Sequence, residues 1–438
     1  MTDKRKAFVA IAALVATVGT AQVSAAPKPK LDLKPATLRF SWWGGDSRHQ
    51  ATLAAIDAFM KRYPQIKIEG EYSGYEGYEA KLTTQIASVT CPDIMQVTAA
   101  RVKEIQAQSK APVFVDFSAY PKLIDLSGFD KSFLGQWGTL NKQVIGLPTG
   151  LNSYNFVFNK KLCDAAGISI SKQWTYEDLV VEGSKVNKAF PGEYFFSMST
   201  DQTAHLLHNY MRQYAGDQLA KDDYTIGVSK DIIAKAFAYY RRLLDEKVLE
   251  PLERSSLYED ASKNPKWIAG KQGMALAWAS TVGLLKNDNV QLVAATFPIE
   301  PKAKGTGTVI NPTQSFTVYA KSKNIEAAVA FLDFLYNDEE AVRILNTQRS
   351  VPPVEKARKI LADNRLLDPL VQGMVDMSLK KSDVPLTVKI ENPEVRKVYF
   401  DIIEQVGYGK LKPDAAADQL TVRLSALLSD LKKSEAAK

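Results

Sequence analysis

The residues with the clearest chemical potential lie in one short stretch, residues 42–49, with the sequence WWGGDSRH. An indole can stack on the apolar C–H face of a sugar ring, while a carboxylate and a guanidinium can take its hydroxyl groups in paired hydrogen bonds. Trp42 or Trp43, together with Asp46 and Arg48, therefore favours a site for a sugar. Aromatic residues are also common in protein cores, so the surrounding elements must support this interpretation.

A strand followed by a helix would position this turn. Leu38–Trp42 is predicted as a strand, and apolar residues at helical spacing predict a helix over residues 48–63. Ser47 followed by Gln50 fits a capping box, which would start the helix directly after Ser47. In a parallel sheet such a turn lies at the carboxyl end of a strand, where open α/β proteins bind their ligands.

Two residues of the turn are singled out by local rules. Arg48 would place a positive charge in the first helical turn, where it opposes the helix dipole, so we take it as a candidate functional residue; the alternative is that Asp46 beside it simply offsets the charge. Neighbouring strand residues point to opposite faces, so only one indole easily reaches a cleft. We favour Trp43 for the cleft and assign Trp42 to the core.

The rest of the chain predicts an α/β protein. Four further elements alternate after the first helix: a strand at Gln65–Tyr72, a helix at Tyr75–Ser88, a strand at Ile94–Val97 and a helix around Arg101–Ser109. This alternation indicates a largely parallel sheet. Later strands are predicted at Asn155–Phe158, Met274–Trp278 and Ser315–Ala320, and the clearest helix at residues 229–247.

Length and composition narrow the number of domains and the kinds of site to expect. The 438 residues exceed one ordinary core and predict two lobes or domains, and the net charge is +7. Three His and two Cys leave little material for a metal or thiol site, and no cofactor is expected. Cys91 and Cys163 could pair in an oxidising compartment, or each could be a buried thiol.

The N-terminus has the pattern of a secretory signal. Lys4–Lys6 is basic, Phe8–Val18 is an apolar run too short to span a bilayer, and Val23–Ala25 supplies small residues before a cleavage site. We therefore interpret residues 1–25 as a signal peptide. An exported protein rarely meets nucleic acid, so no nucleic-acid partner is expected, and export predicts a location in the periplasm.

Five sequence blocks, in this order and spacing, carry a resemblance to a known family: WWGGDSRHQATLAAIDAFMKRYP (42–64), KLTTQIASVTCPDIMQV (81–97), GLPTGLNSYNFVFNKKL (146–162), QGMALAWAS (272–280) and QSFTVYAKSKNIEAAVAFLDFLYNDEEAVRIL (314–345). With them the chain resembles the extracellular solute-binding proteins (family 1) that serve bacterial carbohydrate uptake by ATP-driven ABC transporters. The resemblance covers essentially the whole chain after residue 25.

The resemblance implies a two-lobed periplasmic-binding-protein fold of type II, with the ligand in the interlobe cleft. Residues 26–150 and 299–345 would form the N-terminal lobe, and residues 151–298 and 346–438 the C-terminal lobe. The chain would cross between the lobes near three segments: Gly150–Asn152, Pro298–Glu300 and Leu345–Ser350.

The resemblance also implies where the ligand contacts lie. Added to Trp43, the expected binding residues are Asp46, Arg48, Gln96, Thr98, Arg101, Asn152, Tyr154 and Trp278. Many relatives carry an aromatic or acidic residue where this chain has Val97–Ala100, so that subsite would be smaller or differently built. Tyr75 and Tyr78 could reach over the cleft or belong to core and surface, and Arg349 is a weaker candidate at the third crossing.

The implied function is a monomeric periplasmic receptor that binds an oligosaccharide by lobe closure and docks on inner-membrane ABC permease subunits. Arg48, Arg101 and the net positive charge favour an acidic, uronate-containing sugar, and a neutral oligosaccharide stays equally open. One alternative is a binding protein for another solute, such as a polyol phosphate or a peptide. The other is an exported glycoside-active enzyme, which would need two carboxylates about 5–9.5 Å apart; Asp46 has few obvious partners for this.

Overall fold

A computed structural model of the protein describes residues 31–258, 261–381 and 389–436. The chain divides into Met1–Asp32 and a compact unit, Leu33–Lys438, and the fold below is that of the second unit. The segment interpreted as a signal peptide, residues 1–25, lies outside the described residues.

The elements are numbered in chain order. The strands are β1 Ala36–Trp43, β2 Ile66–Ser73, β3 Ile94–Val97, β4 Thr139–Leu140, β5 Gln143–Val144, β6 Leu147–Pro148, β7 Leu151–Asn159, β8 Met274–Trp278, β9 Leu292–Ala295, β10 Ile310–Pro312 and β11 Ser315–Val318. The helices are α1 Asp46–Arg62, α2 Tyr78–Ala87, α3 Ala99–Gln108, α4 Lys131–Gly138, α5 Lys160–Ala165, α6 Tyr176–Ala189, α7 Thr200–Ala215, α8 Lys230–Asp245, α9 Leu252–Ser255, α10 Pro265–Ile268, α11 Ile325–Asn337, α12 Glu339–Leu345, α13 Glu355–Asp363, α14 Pro369–Lys381, α15 Pro393–Gly407 and α16 Pro413–Ala436.

The first sheet has five strands in the order β2-β1-β3-β11-β6. β1 pairs in parallel with β2 and β3, which confirms the α/β pattern predicted for the start of the chain. The other two strands are antiparallel to their neighbours, so the expectation of a largely parallel sheet is wrong for that half. The reason is connectivity, because β6 and β11 are joined by short links to strands of another sheet and not by the long crossovers that parallel pairing requires.

The second sheet is built around β7, which pairs with β8, β9 and β10, all antiparallel. Helix α14 packs on β7 and β9, and α15 and α16 pack on α8. The helix predicted at residues 229–247 is α8, and it buries an apolar stripe of Ile233, Ala236, Phe237, Tyr240 and Leu243. This stripe joins one continuous hydrophobic core beneath the second sheet.

The chain passes between the two sheets at three places. The first is Thr149–Gly150, between β6 and β7. The second is Thr313–Gln314, between β10, which pairs with β7, and β11, which pairs with β3. The third follows α13, which packs on α11 and α12, whereas α14 packs on the second sheet. The exact lobe bounds given above stay a prediction.

Both cysteines are free thiols. Cys163 is buried and Cys91 half-buried, and burial raises the pKa of both. Of the two alternatives left open by the sequence, the structure has the unpaired one.

Candidate functional site

The turn between β1 and α1 forms the first part of the site. α1 begins at Asp46, and its N-cap residue is Gly45, with φ −93° and no side-chain capping bond. The predicted capping box of Ser47 and Gln50 is therefore wrong, because Ser47 already lies inside the helix. Asp46 is exposed and places a negative charge at the positive end of the helix dipole, which offsets Arg48 in the same turn.

The two indoles at the end of β1 pack in different surroundings. Trp42 is fully buried, stacks on Tyr72 with ring centroids 5.0 Å apart, and donates from Nε1 to Nδ1 of His49 at 3.1 Å. Trp43 is 9% exposed and packs against Tyr75, with centroids 5.4 Å apart. Trp42 is thus the core residue that we expected, and the exposed aromatic surface beside Trp43 belongs mainly to Tyr75.

Arg48 is held by two backbone carbonyls. Its Nη1 donates to the carbonyl oxygen of Trp43 at 3.3 Å, and its Nε donates to that of Gln348 at 3.1 Å. Gly44 leaves the room for this, since a Cβ there would lie 2.5 Å from Cδ of Arg48. The guanidinium therefore ties the first turn of α1 to the segment that follows α12.

Arg349 approaches the same place from that segment. It is 5% exposed and donates from Nη1 to Oε1 of Gln96 at 3.0 Å and from Nη2 to Oγ1 of Thr52 at 2.8 Å. Gln96 is fully buried and donates its Nε2–H to the carbonyl oxygen of Trp43 at 3.2 Å. Gln96, predicted as a ligand contact, thus has both ends of its amide bonded to protein groups. Arg349, a weaker candidate in the sequence, links the end of β3 to α1 through its bonds to Gln96 and Thr52.

The two guanidiniums lie close enough for the charge of Arg48 to act on Arg349. Burial lowers the pKa of Arg48, and burial together with the charge of Arg48 lowers the pKa of Arg349 to about 9. Neither forms a salt bridge with any carboxylate in the described part of the chain, and Nε of Arg349 is buried there without a hydrogen-bond partner. Because a buried charge is costly unless it is paired, an anionic group near this pair would be favoured.

Thr98 and Arg101 meet at a residue that the sequence did not single out, Glu79. The backbone N–H and the Oγ1 hydroxyl of Thr98 donate to Oε1 of Glu79 at 3.1 Å and 2.6 Å. Arg101 forms a salt bridge with the other carboxylate oxygen of Glu79 and also donates to Thr83. These two predicted binding residues therefore join α2 to α3, and the charge of Arg101 is already neutralised.

The second sheet supplies an aromatic platform. Tyr154 and Trp278 are direct neighbours on β7 and β8, with ring centroids 4.6 Å apart, and His205 from α7 lies edge-on to Tyr154 at 4.8 Å. Tyr154 is buried, whereas Trp278 is half-buried and keeps accessible ring surface. Asn152, two residues before Tyr154, accepts a hydrogen bond from the backbone N–H of Ser280 at 3.1 Å.

A recess lies beside this platform, and four of its nine lining residues come from α7. Its lining residues are Tyr154, His205, His208, Asn209, Arg212, Trp278, Phe297, Gly307 and Val309. Burial, with the charge of Arg212, holds the pKa of His208 well below its usual range, so His208 stays neutral and accepts a hydrogen bond from the backbone N–H of Leu219 at 3.4 Å. The spacing of His205, His208 and Arg212 places them on one face of a helix, and this is the pattern in the sequence that could have predicted the recess.

The two parts of the site meet where the first two crossings contact the segment between α12 and α13. A Cβ on Gly150 would lie 1.8 Å from the carbonyl oxygen of Arg349, so this position requires glycine. That carbonyl accepts from the Thr313 hydroxyl at 3.0 Å, and the N–H of Leu151 donates to the carbonyl oxygen of Val351 at 2.7 Å. The structure thus gathers the predicted residues into two groups, one at the ends of β1 and β3 and one at the adjoining ends of β7 and β8. In the described residues no group of His, Cys, Asp and Glu side chains could hold a metal ion.

The chain belongs to the family of bacterial extracellular solute-binding proteins, whose family model matches residues 43–342. Members of this family are binding proteins of ABC-transporter type and not enzymes. Binding proteins from Brucella abortus and Brucella suis are 24% identical to this chain over 378 residues, which is 85% of this chain and 88% of theirs. In the described ranges, no helix has the length and apolar character needed to cross a bilayer.

Solved structures show the same two-lobed fold. A family 1 solute-binding protein from Alicyclobacillus acidocaldarius is 25% identical with a TM-score of 0.81, covering 90% of this chain and 99% of that one. A periplasmic oligogalacturonide-binding protein from Yersinia enterocolitica, in complex with saturated digalacturonic acid, is 25% identical with a TM-score of 0.67 and the same coverage. A de novo designed cysteine esterase, an engineered protein, also shares the fold at 24% identity and a TM-score of 0.82, covering 90% of this chain and 98% of its own.

Proposed function

We propose that this protein is a periplasmic receptor that binds an oligosaccharide between its lobes and delivers it, as a monomer, to the permease subunits of an ABC importer. The observation that carries the proposal is the Trp278–Tyr154 ring pair, in which Trp278 is half-buried and Tyr154 lies on β7, the strand that follows the Gly150 crossing. A ring pair beside polar side chains is suited to the alternating C–H faces and hydroxyl edges of sugars. Residues 1–25 would direct export.

Ligand binding would work through closure of the lobes. The polar group at the ends of β1 and β3 and the aromatic group on β7 and β8 lie on different sheets joined by short crossings. A ligand that contacts both groups binds the closed form better than the open form and so shifts the population towards closure. The closed form would then dock on the permease.

Within sugars, we favour an acidic, uronate-containing oligosaccharide. Arg48 and Arg349 bring two guanidiniums together without a described carboxylate, and a ligand carboxylate near Arg48 would supply the missing counter-charge. The likeness to a protein that binds oligogalacturonide supports the same class. A neutral oligosaccharide is the alternative within this function.

A non-sugar solute with an anionic group, such as a polyol phosphate, is the second candidate. The observation in its favour is the same guanidinium pair, which suits a phosphate as well as a carboxylate. The exposed ring surface of Trp278 has no evident role for such a small ligand, which is why we place it second.

Thermal unfolding of the purified protein against galacturonides, neutral oligosaccharides, polyol phosphates and peptides tests the proposal. A ligand at about 100 times its Kd should add about 2.7 kcal/mol to the free energy of unfolding. Stabilisation by a saccharide that is recovered unchanged would establish the receptor, and stabilisation by galacturonides alone would establish the acidic class. A melting temperature that no saccharide changes would contradict it.

A further inference from the structure

A small cavity with one charged wall lies beside the first sheet. Its volume is about 40 Å³, and it is enclosed by β11, by helices α11, α12 and α13, and by residues 346–354, which join α12 to α13. Most of its lining is apolar, and Arg349 is its only charged residue. Of the residues that the sequence singled out as ligand contacts, only Arg349, the weaker candidate, lines it. The cavity is therefore a different space from the proposed ligand site.

The guanidinium of Arg349 has one nitrogen without a partner. Its Nη1 and Nη2 donate to Gln96 and Thr52, and neither of these residues lines the cavity. The remaining nitrogen, Nε, is buried and has no hydrogen-bond acceptor in the described part of the chain. A buried N–H group without an acceptor is costly, and more so when it belongs to a cation. An acceptor in the cavity would therefore be stabilising.

The positive charge of Arg349 also lacks compensation. Arg349 is 5% exposed and forms no salt bridge with a carboxylate of residues 31–258, 261–381 or 389–436. The face of the Phe316 ring, 5.0 Å from Cζ of Arg349, supplies only a weak negative potential, and Arg48 adds a further positive one. A water molecule in the cavity would satisfy Nε–H but leave the charge uncompensated. An anion would do both.

The volume and the walls of the cavity limit the kind of anion. One water molecule needs about 10–15 Å³ of such a volume, so the cavity has room for about three waters, or for one halide ion with a water. A sugar ring does not fit. The apolar walls cannot replace the hydration shell of a strongly hydrated ion, which favours chloride over fluoride.

We propose that this cavity binds a chloride ion, held by Nε–H of Arg349 and by the side-chain amide of Asn346. Asn346 lines the cavity, and its Oδ1 is likewise buried without a partner in the described residues. A half turn of the amide keeps its shape and presents Nδ2–H in place of Oδ1, as an anion requires. The ion would compensate the charge of Arg349 in the protein without ligand, so this site does not depend on which solute the protein carries.

Thermal unfolding of the purified protein tests the site, with sodium gluconate replaced stepwise by sodium chloride at constant ionic strength. Chloride at about ten times its Kd should raise the melting temperature by about 2 °C, and the rise should reach a plateau. General effects of the salts act on the wild type and its variants alike, so the difference between their curves is the measure. Broadening of the chloride NMR signal by the protein reports binding without relying on stability.

Asn346→Asp is the decisive variant, because it keeps the size of the side chain and brings a carboxylate into the cavity. This built-in charge should abolish both the plateau and the NMR broadening. Asn346 is the C-cap residue of α12 with φ +46°, a value that Asp and Asn adopt more readily than other residues with a Cβ, so the fold should tolerate the exchange. A carboxylate at the C-terminal end of a helix is itself unfavourable, so the readout is the chloride dependence and not the absolute melting temperature.

Asn141→Asp is the matched control, since Asn141 also has a positive φ, +50°, but lies exposed in the turn between β4 and β5. It should respond to chloride as the wild type does. A wild type that shows no broadening and no more chloride dependence than Asn346→Asp would mean that water fills the cavity, and would overturn the proposal. If Asn346→Asp kept the full chloride dependence of the wild type, the ion would bind elsewhere, which would overturn it as well.

Discussion

The two parts of the candidate site consist of different kinds of residue. At the ends of β1 and β3, Arg48, Gln96 and Thr98 are bound to protein groups, so their polar atoms form a connected frame. At the ends of β7 and β8, Trp278 and Tyr154 form a ring pair beside a recess. The first part is rich in charge, and the second is rich in aromatic surface.

This difference indicates a division of tasks. The frame holds Arg48 and Arg349 at fixed positions, so a ligand gains from their charge without ordering flexible side chains. The ring pair offers contact area that does not depend on the charge of the ligand. We therefore expect the first part to decide which ligand binds and the second to supply affinity shared by many ligands.

The largest effect is expected from breaking the link between the two parts. Gly150→Ala would push a Cβ to 1.8 Å from the carbonyl oxygen of Arg349 and force the first crossing away from the segment that follows α12. We expect a loss of about 3 kcal/mol in the free energy of unfolding, measured by chemical denaturation. Gly373→Ala, whose added Cβ meets nothing within 4 Å in helix α14, should be neutral or stabilising. Equal stability of the two variants would contradict the close approach.

Removing charge from the polar frame should change which ligand binds. Arg48→Met should weaken binding of an acidic oligosaccharide by about 2 kcal/mol, because a charge-assisted hydrogen bond is lost. Binding of a neutral oligosaccharide should change little, and the melting temperature of the free protein should fall modestly, because the bonds to the carbonyl oxygens of Trp43 and Gln348 are lost. Calorimetric titration of both ligands checks this, and an unchanged affinity for the acidic ligand would remove Arg48 as its partner.

Removing the ring from the second part should weaken all saccharides alike. Trp278→Ala should cost about 1.5 kcal/mol of binding free energy for acidic and neutral oligosaccharides, since stacking does not depend on charge. Trp278→Phe should recover part of the loss. A loss confined to the acidic ligand would show that the proposed division between the two parts is mistaken.

The smallest effect concerns pH and the recess beside the ring pair. His208 is buried and neutral, with its pKa well below the usual value of about 6.5, so below that pH the unfolded chain binds a proton that the folded chain does not. Stability should fall as the pH decreases from about 6.5, by up to about 1.4 kcal/mol per pH unit. His208→Gln should have a shallower dependence in denaturation experiments from pH 7.5 to 5.0. Parallel curves for the two proteins would mean that His208 titrates normally.

Local patterns in the sequence predicted the elements around the site well. The alternation of β1 predicted that its two tryptophans separate, and they pack in different surroundings. The alternation of strands and helices at the start of the chain predicted parallel pairing of β1 with β2 and β3, which is confirmed. The prediction placed the start of α1 two residues too late. The N-cap residue is Gly45, which has no side chain to give a capping signal in the sequence.

Contacts between distant residues set the limit of such prediction. Arg349 bonds Gln96 across 253 residues of sequence, and no local pattern reveals that the two meet. Thr98 and Arg101 were predicted as ligand contacts, but the sequence did not show that both would bond Glu79, which lies on another helix. β11 runs antiparallel to β3 because the chain re-enters the first sheet directly from β10 of the second sheet. The local sequence of β11 does not show where the chain comes from.

The unequal burial of the tryptophans gives the protein an optical signal of its own. Of its six tryptophans, four are buried: Trp42, Trp43, Trp174 and Trp267. Indole emission responds to contact with water, so these four supply a constant background, and the half-buried Trp278 supplies the variable part together with Trp137. A ligand that covers the ring pair should therefore shift the intrinsic fluorescence to shorter wavelength without any label, and the shift should persist in Trp137→Phe and vanish in Trp278→Phe.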